Sequence, residues 1–293
     1  IQDSNETEEE GFDCEGHVSE PAPGKSRPAL LVGTPEEPIA TNARALIRLT
    51  LVEGLNKESC PAIVCCGGRM DFHGQPLSRT WVKLGETAAK GATQITLAEP
   101  VTGWRVGDQL ILTPTQNDYG NDPVTEKRII TAIEGTTIKL AEALEHKHLG
   151  EGNTRGEVGN LSRNVIVESA DPAGERGHTM YHRFSQGSIS YAEFRHLGKK
   201  EVLGRYALHF HLIGNTMRGS YVVGASIWDS HNRWLVIHGT NRLVVRDCVG
   251  YQSVGHGFYL EDGSEVYNVL DRNLGVQARR GRKLPDQALP FDG

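Results

Sequence analysis

What this chain lacks narrows its class before any motif is read. No apolar run approaches the ~20 residues of a bilayer-spanning helix, so no transmembrane segment is expected. Nowhere does a 3.6-residue apolar period persist, and only Glu86–Ala89 and Leu140–Glu145 hold enough for a helical turn or two. A Gly-rich phosphate loop is missing, as are G-x-S-x-G and S-x-x-K, so the common nucleotide-binding and serine-nucleophile signatures are excluded. The five cysteines (Cys14, Cys60, Cys65, Cys66, Cys248) contain no C-x-x-C pair and do not fit a zinc finger. One or two disulfides in an extracellular protein are expected instead, with partners unassigned. There is no broad basic face, and no nucleic-acid partner is expected.

Glycine is plentiful at 34 of 293 residues, which favours many tight turns over long helices. Hydrophobic residues at 38% and charged residues at 23% are those of an ordinary folded protein. The formal charge of −6 is uneven: residues 201–293 carry ten Lys and Arg against nine Asp and Glu, and a basic run closes that half (Arg279, Arg280, Arg282, Lys283). Such a run either attracts an anionic polymer or is a solvated turn. The chain starts at Ile1 without Met or signal peptide, as a mature form or excised fragment is expected to. The sequons Asn5-Glu-Thr7 and Asn160-Leu-Ser162 are compatible with secretion, and an extracellular or cell-surface location is expected.

Residues 1–27, with eight acids and no Lys or Arg before Lys25, read as a flexible leader. From Ala29 onward, short apolar runs alternate with turn residues. Candidate strands are Ala29–Val32, Ala45–Leu51, Ala62–Val64, Gln94–Leu97, Gln109–Leu112, Arg128–Ile133 and Thr137–Leu140. After the glycine-rich break at 150–159 come Asn164–Glu168, Ser188–Phe194, Tyr221–Trp228, Leu243–Val245 and Val266–Leu270. Between these, four segments align: Thr179–His182, Leu208–His211, Leu235–His238 and Phe258–Glu261. Their last residues are 29, 27 and 23 positions apart, about one coil of a parallel β-solenoid. Stacked coils lie about 4.8 Å apart, so the segments predict a ladder of imidazoles ending in a carboxylate. Asn241, Asn268 and Asn273 are candidates for asparagine ladders near the turns.

His209 and His211 share one face of a strand; with His238 and Glu261 they offer a two-histidine, one-carboxylate centre for Zn²⁺, Fe²⁺ or Mn²⁺. The plainer reading is a buried ladder of mutually hydrogen-bonded rings. His256, between Gly255 and Gly257, stands as a candidate at the mouth, the glycines opening space around its ring. Glu261 and Asp262 are candidates for an acid and base pair of the kind that hydrolyses glycosidic bonds, although Asp262-Gly263 is also a favoured turn dipeptide. Arg205, Arg218, Arg233 and Arg242 are candidates to fork onto an acidic sugar, with Tyr206, Trp228, Trp234 and Tyr259 to stack on its rings. His146 and His148 have no aligned partner and read as a loop feature.

Two blocks of text resemble a known family. Leu31–Pro35, Gly67–Gly74, Trp81–Leu84, Trp104–Gln109, Glu126 and Leu144–His148 are similar to the eight-glycine domain of a family of large extracellular proteins. Gly204–His211, Val236–Gly239, Val249–Tyr251 and Gly255–Gly263 resemble the β-helix that follows it in the cell-migration-inducing hyaluronan-binding protein and transmembrane protein 2; fibrocystin-type receptors share the general architecture. The expected fold is therefore all-β: an eight-glycine-type domain over 28–150 followed by a right-handed parallel β-helix over 151–293. The resemblance implies binding and depolymerisation of an acidic polysaccharide such as hyaluronan, assisted by Ca²⁺; a divalent metal ion and a monomeric chain are expected. A carbohydrate-binding or adhesion module without catalysis, and a metalloenzyme acting on another substrate, are the alternatives.

Overall fold

The computed structural model describes residues 27–115 and 124–279. The expected leader up to residue 26, Cys14, the Asn5 sequon and Arg280, Arg282 and Lys283 lie outside the described residues. No described residue is helical, and no helix is long and apolar enough to cross a membrane. The strands are β1 (Ala29–Val32), β2 (Ala45–Leu49), β3 (Ala62–Cys66), β4 (Arg69–His73), β5 (Trp81–Lys83), β6 (Gln94–Thr96), β7 (Gln109–Leu112), β8 (Glu126–Glu134), β9 (Thr137–Leu140), β10 (Glu157–Asn160), β11 (Val165–Ser169) and β12 (His178–His182). They continue with β13 (Ile189–Ser190), β14 (Ala192–Arg195), β15 (Leu208–Gly214), β16 (Tyr221–Val223), β17 (Ser226–Trp228), β18 (Leu235–Thr240), β19 (Val244–Arg246), β20 (Val249–Val254), β21 (Phe258–Leu260), β22 (Val269–Asp271) and β23 (Leu274–Arg279).

Three sheets form the walls of a parallel β-helix. The first is ordered β1-β4-β13-β16-β19-β22, the second β2-β11-β14-β17-β20-β23 and the third β3-β12-β15-β18-β21. The chain visits them in the same rotation on every coil, with all pairs parallel. The fourth sheet, β5-β10-β7-β8-β9-β6, is antiparallel. It is inserted between β4 and β11, at the corner where the chain passes from the first sheet to the second.

This arrangement corrects the expected boundary at residue 150. Residues 29–73 already belong to the β-helix: Ala29 pairs with Arg69, Ala45 with Val165 and Cys66 with His182. The separate antiparallel body begins only near β5. An insertion at one corner hides the repeat, because the strands it separates remain neighbours in space while their sequence spacing grows far beyond one coil.

The corners themselves are residues in the left-handed region. Tyr191, Gly224, Asp247 and Arg272 have φ of 50°, 64°, 54° and 51° at successive passages from first to second sheet. They split the expected strands Ser188–Phe194 and Tyr221–Trp228 into β13/β14 and β16/β17. A single left-handed residue turns the chain without a gap in hydrophobicity, so no periodic signal marks it.

Inside the coils, inward side chains stack into one core: Tyr181 lies on Phe210 with centroids 4.9 Å apart, and Phe72 meets Phe194 edge-on at 5.8 Å. The insertion has its own core around Leu84, Leu110, Ile130 and Val158. A third cluster, including Ile111, Trp228, Val249 and Tyr251, seals the two bodies together. Corner carbonyls also bind the insertion: Arg163 Nε donates to Gly224 O (2.9 Å), Trp81 Nε1 to Arg272 O (2.9 Å), and Thr80 Oγ1 to Asp247 O. Asn268 and Asn273 tie neighbouring coils through backbone groups, accepting from Leu243 N and Cys248 N, so they do not form the expected asparagine stack. Asn241 does meet an asparagine of the next coil, Asn215, at 3.3 Å. Cys66 is disulfide-bonded, and Cys65 and Cys248 are buried thiols.

Candidate functional site

The third sheet carries the predicted ladder. Its strands bring Cys66, His182, His211 and His238 into register, and Glu261 follows, its N–H donating to Ile237 O at 2.9 Å. The residue after each of the first four is left-handed: Gly67, Arg183, Leu212 and Gly239. The ladder therefore lies along the edge where the third sheet turns into the first. His209 sits two residues before His211, on the same outward face, while Phe210 between them is buried in the core.

The rings converge. His209, His211 and His238 each place one nitrogen so that all three lie within 4.8 Å of one another. Glu261 Oε2 stands 3.8 Å from His209 Nε2 and 3.7 Å from His238 Nδ1. On its other face His238 directs Nε2 at Asp262 Oδ2, 3.3 Å away. Exposure rises along the cluster, from 2% at His209 through 16% at Glu261 and 25% at His238 to 45% at Asp262. It is neither split between walls nor sealed.

Burial controls the chemistry of these rings. It holds His209 well below the usual imidazole range, with His211 and His238 adding to the effect. Burial, then His182 and His238, push His211 down to about 3. Both rings are therefore neutral at physiological pH, the form that offers a nitrogen lone pair. The Tyr206 phenol is pushed above its ordinary value, first by burial and then by the charge of Glu261, so it keeps its proton. Its O–H donates to Glu261 Oε1 at 3.0 Å, and Arg233 Nη1 donates to the same oxygen at 3.0 Å. Oε1 is thus occupied from within. Oε2 and His209 Nε2 are buried without a hydrogen-bond partner.

Several expected roles are corrected. Arg233 is 6% exposed and committed to Glu261, with its guanidinium 4.1 Å from the Tyr259 ring, so it positions a carboxylate rather than gripping a sugar. Arg205 is 7% exposed and donates to Glu58 O, inside the protein. Arg218 is exposed on the turn after β15 and makes no side-chain bond to the cluster among the described residues. Arg242 lies over the Tyr267 ring at 4.5 Å, on another turn. Tyr259 packs against His256, the rings 4.5 Å apart and nearly parallel. Of the glycines beside His256, Gly257 serves a different ring, since a Cβ there would stand 2.4 Å from Trp234, and Gly255 takes a left-handed φ of 91°. Trp234 itself is a core residue at 1% exposure, and Trp228 is bonded to Glu193.

Glu265 carries no sequence signal, yet its Oε1 accepts from Gly239 N and Asp262 N and so folds the ladder's last turn. His148 is no loop feature: fully buried, it meets Thr113 O at 2.8 Å and Glu126 Oε1 at 2.8 Å, tying the segment between β9 and β10 to β8.

A parallel β-helix with an inserted antiparallel body and a histidine–carboxylate ladder on one edge defines the class. Residues 175–290 match the family described as CEMIP beta-helix. The chain is 35% identical over 219 residues to a G8 domain-containing protein of Dictyostelium discoideum, covering 73% of this chain and 14% of that protein. It is 31% identical over 269 residues to fibrocystin-L of Mus musculus, covering 74% and 6% respectively. To the cell surface hyaluronidase CEMIP2 of Homo sapiens it is 33% identical over 221 residues, covering 66% and 16%. The chain belongs to this G8 and CEMIP β-helix family. It spans less than a fifth of the length of each of these relatives.

Proposed function

We propose that this chain carries the polysaccharide-cleaving centre of an extracellular or cell-surface glycosidase acting on an acidic polymer of the hyaluronan class. One observation carries the reading: two buried, unpartnered atoms, His209 Nε2 and Glu261 Oε2, converge with His238 beside an exposed carboxylate. Leaving these two shielded atoms unpaired is costly, and a cation relieves both at once. The donors are three imidazoles and one carboxylate, a set that suits Zn²⁺, Mn²⁺ or Fe²⁺ and not Ca²⁺, which takes six to eight oxygens. His209, His211, His238 and Glu261 would hold the ion, which supplies Lewis acidity toward a bound sugar oxygen.

The chain's own residues then have distinct tasks. Tyr206 and Arg233 fix Glu261 through Oε1 so that Oε2 faces the histidines. A water attacks the anomeric carbon as the glycosidic C–O bond breaks; Asp262, at the mouth, takes the proton of that water, and the leaving oxygen is protonated from solvent. His238 Nε2, 3.3 Å from Asp262 Oδ2, holds that carboxylate in place at the mouth. The similarity to a cell surface hyaluronidase supports the polymer class.

A second reading is binding without cleavage. It is favoured by the His182–His211 contact, Nδ1 to Nδ1 at 2.9 Å, which is how rings of a purely structural stack pair with one another. Elemental analysis of untagged protein, with hyaluronan sized by gel before and after incubation, separates the two. Bound transition metal and shortened polymer, both lost in His211→Ala/His238→Ala, are expected. Metal-free protein that leaves the polymer at full length with Zn²⁺, Mn²⁺ or Fe²⁺ added would sink the catalytic reading.

A further inference from the structure

At the other end of the first sheet lies a groove that the ladder chemistry does not use. It runs between the insertion and the corner stack of the β-helix and is lined by Arg79, Trp81, Lys83, Arg155, Asp247 and Arg272, with Glu99 at its rim. Trp81 and Lys83 share the outward face of β5, while Val82 between them is 3% exposed in the insertion's core. The indole cannot swing: its Nε1 donates to Arg272 O at 2.9 Å, and its ring packs partly on the cluster that seals the two bodies.

Charge in the groove is unbalanced. Arg79 is engaged with Glu99 and Arg272 with Asp247, each through two nitrogens. Lys83 and Arg155, both half-buried, have no carboxylate partner among the described residues; Arg155 reaches only Leu84 O at 3.5 Å. Two unpaired cations thus flank a fixed aromatic face. That combination suits a polymer whose sugar rings stack while its acidic groups meet ammonium and guanidinium. From Arg79 to Lys83 the backbone covers roughly 13 Å, the reach of several linked units and far more than one small anion.

We infer that this groove is a second, non-catalytic binding site for an acidic polysaccharide strand, seated on Trp81 and held by Lys83 and Arg155. It rests on the polymer class proposed above but not on the ladder, which lies at the opposite edge of the first sheet. Titration of the full chain with hyaluronan oligosaccharides, chondroitin sulfate and dextran tests it. Lys83→Ala/Arg155→Ala is expected to lose about tenfold in affinity for both acidic polymers, the sum of two partly exposed charge contacts. Wild-type binding is expected to weaken steeply with salt and to be negligible for dextran. In the His211→Ala/His238→Ala background the groove variant is expected to cause the same loss of about tenfold, because the groove does not depend on the ladder. Should the alanine pair fold poorly, Lys83→Gln/Arg155→Gln serves in its place. A groove variant that melts and binds like wild type overturns the site while leaving the ladder untouched. Dextran binding equal to hyaluronan, or loss of all binding in the ladder variant, overturns it as well.

Discussion

The Nδ1 atoms of His182 and His211 stand 2.9 Å apart, with the two rings stacked at 4.9 Å. Two neutral imidazoles share one hydrogen at that distance, so one ring donates and the other accepts. When His211 donates, its Nε2 is left as a lone pair for the cluster, the tautomer a ligand needs. His182→Ala is therefore expected to weaken Zn²⁺ binding by about tenfold or more. His182→Asn, which keeps an acceptor, should recover part of that loss. Competition with a chromophoric chelator measures both, and equal affinities in all three proteins would remove His182 from the design.

Arg233 acts through geometry that lysine does not reproduce. Nη1 reaches both Glu261 Oε1 and the Tyr206 oxygen, at 3.0 and 2.9 Å, while the guanidinium plane lies against Tyr259. Breaking a largely buried pair of this kind costs on the order of 3 kcal/mol. Arg233→Lys is expected to fall nearly as far as Arg233→Ala in urea unfolding, because an ammonium cannot reach both oxygens and also lie flat against the Tyr259 ring. A lysine variant of wild-type stability would contradict this.

Trp234 makes two glycines obligatory. A Cβ on Gly250 would lie 2.3 Å from its ring and one on Gly257 2.4 Å, and the indole is fully enclosed. Gly257→Ala is expected to destabilise the protein by about 2 kcal/mol through overpacking. Thermal melting checks it; a gain in stability would mean that the ring can yield.

Glu126 gives the insertion a defined acid sensitivity. Burial alone would raise its carboxyl, but hydrogen bonds from Glu145 N, His148 and His146 N, together with the Arg128 charge, lower it below the ordinary 4.5. A carboxylate depressed in the folded state stabilises fully above its unfolded value and loses that contribution as pH falls through the folded one. Glu126→Gln should cost about 3 kcal/mol at neutral pH. The gap from wild type should narrow as pH drops below about 4.5. Urea titrations at neutral pH and near pH 3 measure it, and a gap that widens in acid would refute the assignment.

Much of the ladder could be read from residues alone. His182, His211, His238 and Glu261 recur at near-coil spacing, and parallel pairing has one natural register for such a repeat. Other parts left no trace. Arg205 and Arg233 look like any surface arginine in sequence, since burial of a long side chain depends on loops folded over it. Residues 29–73 lost their membership of the β-helix to the eye because the insertion stretched one corner beyond any recognisable period.

By itself the sequence determined an all-β solenoid and the column in which its histidines stand, because alternation and repeat length are local and survive in one dimension. Only the tertiary structure decided which carboxylate oxygen faces the rings, which arginine is consumed in holding it, and where the inserted body meets the corner carbonyls. Those outcomes depend on long-range burial and on which polar atoms find partners, and neither is encoded at any fixed spacing along the chain.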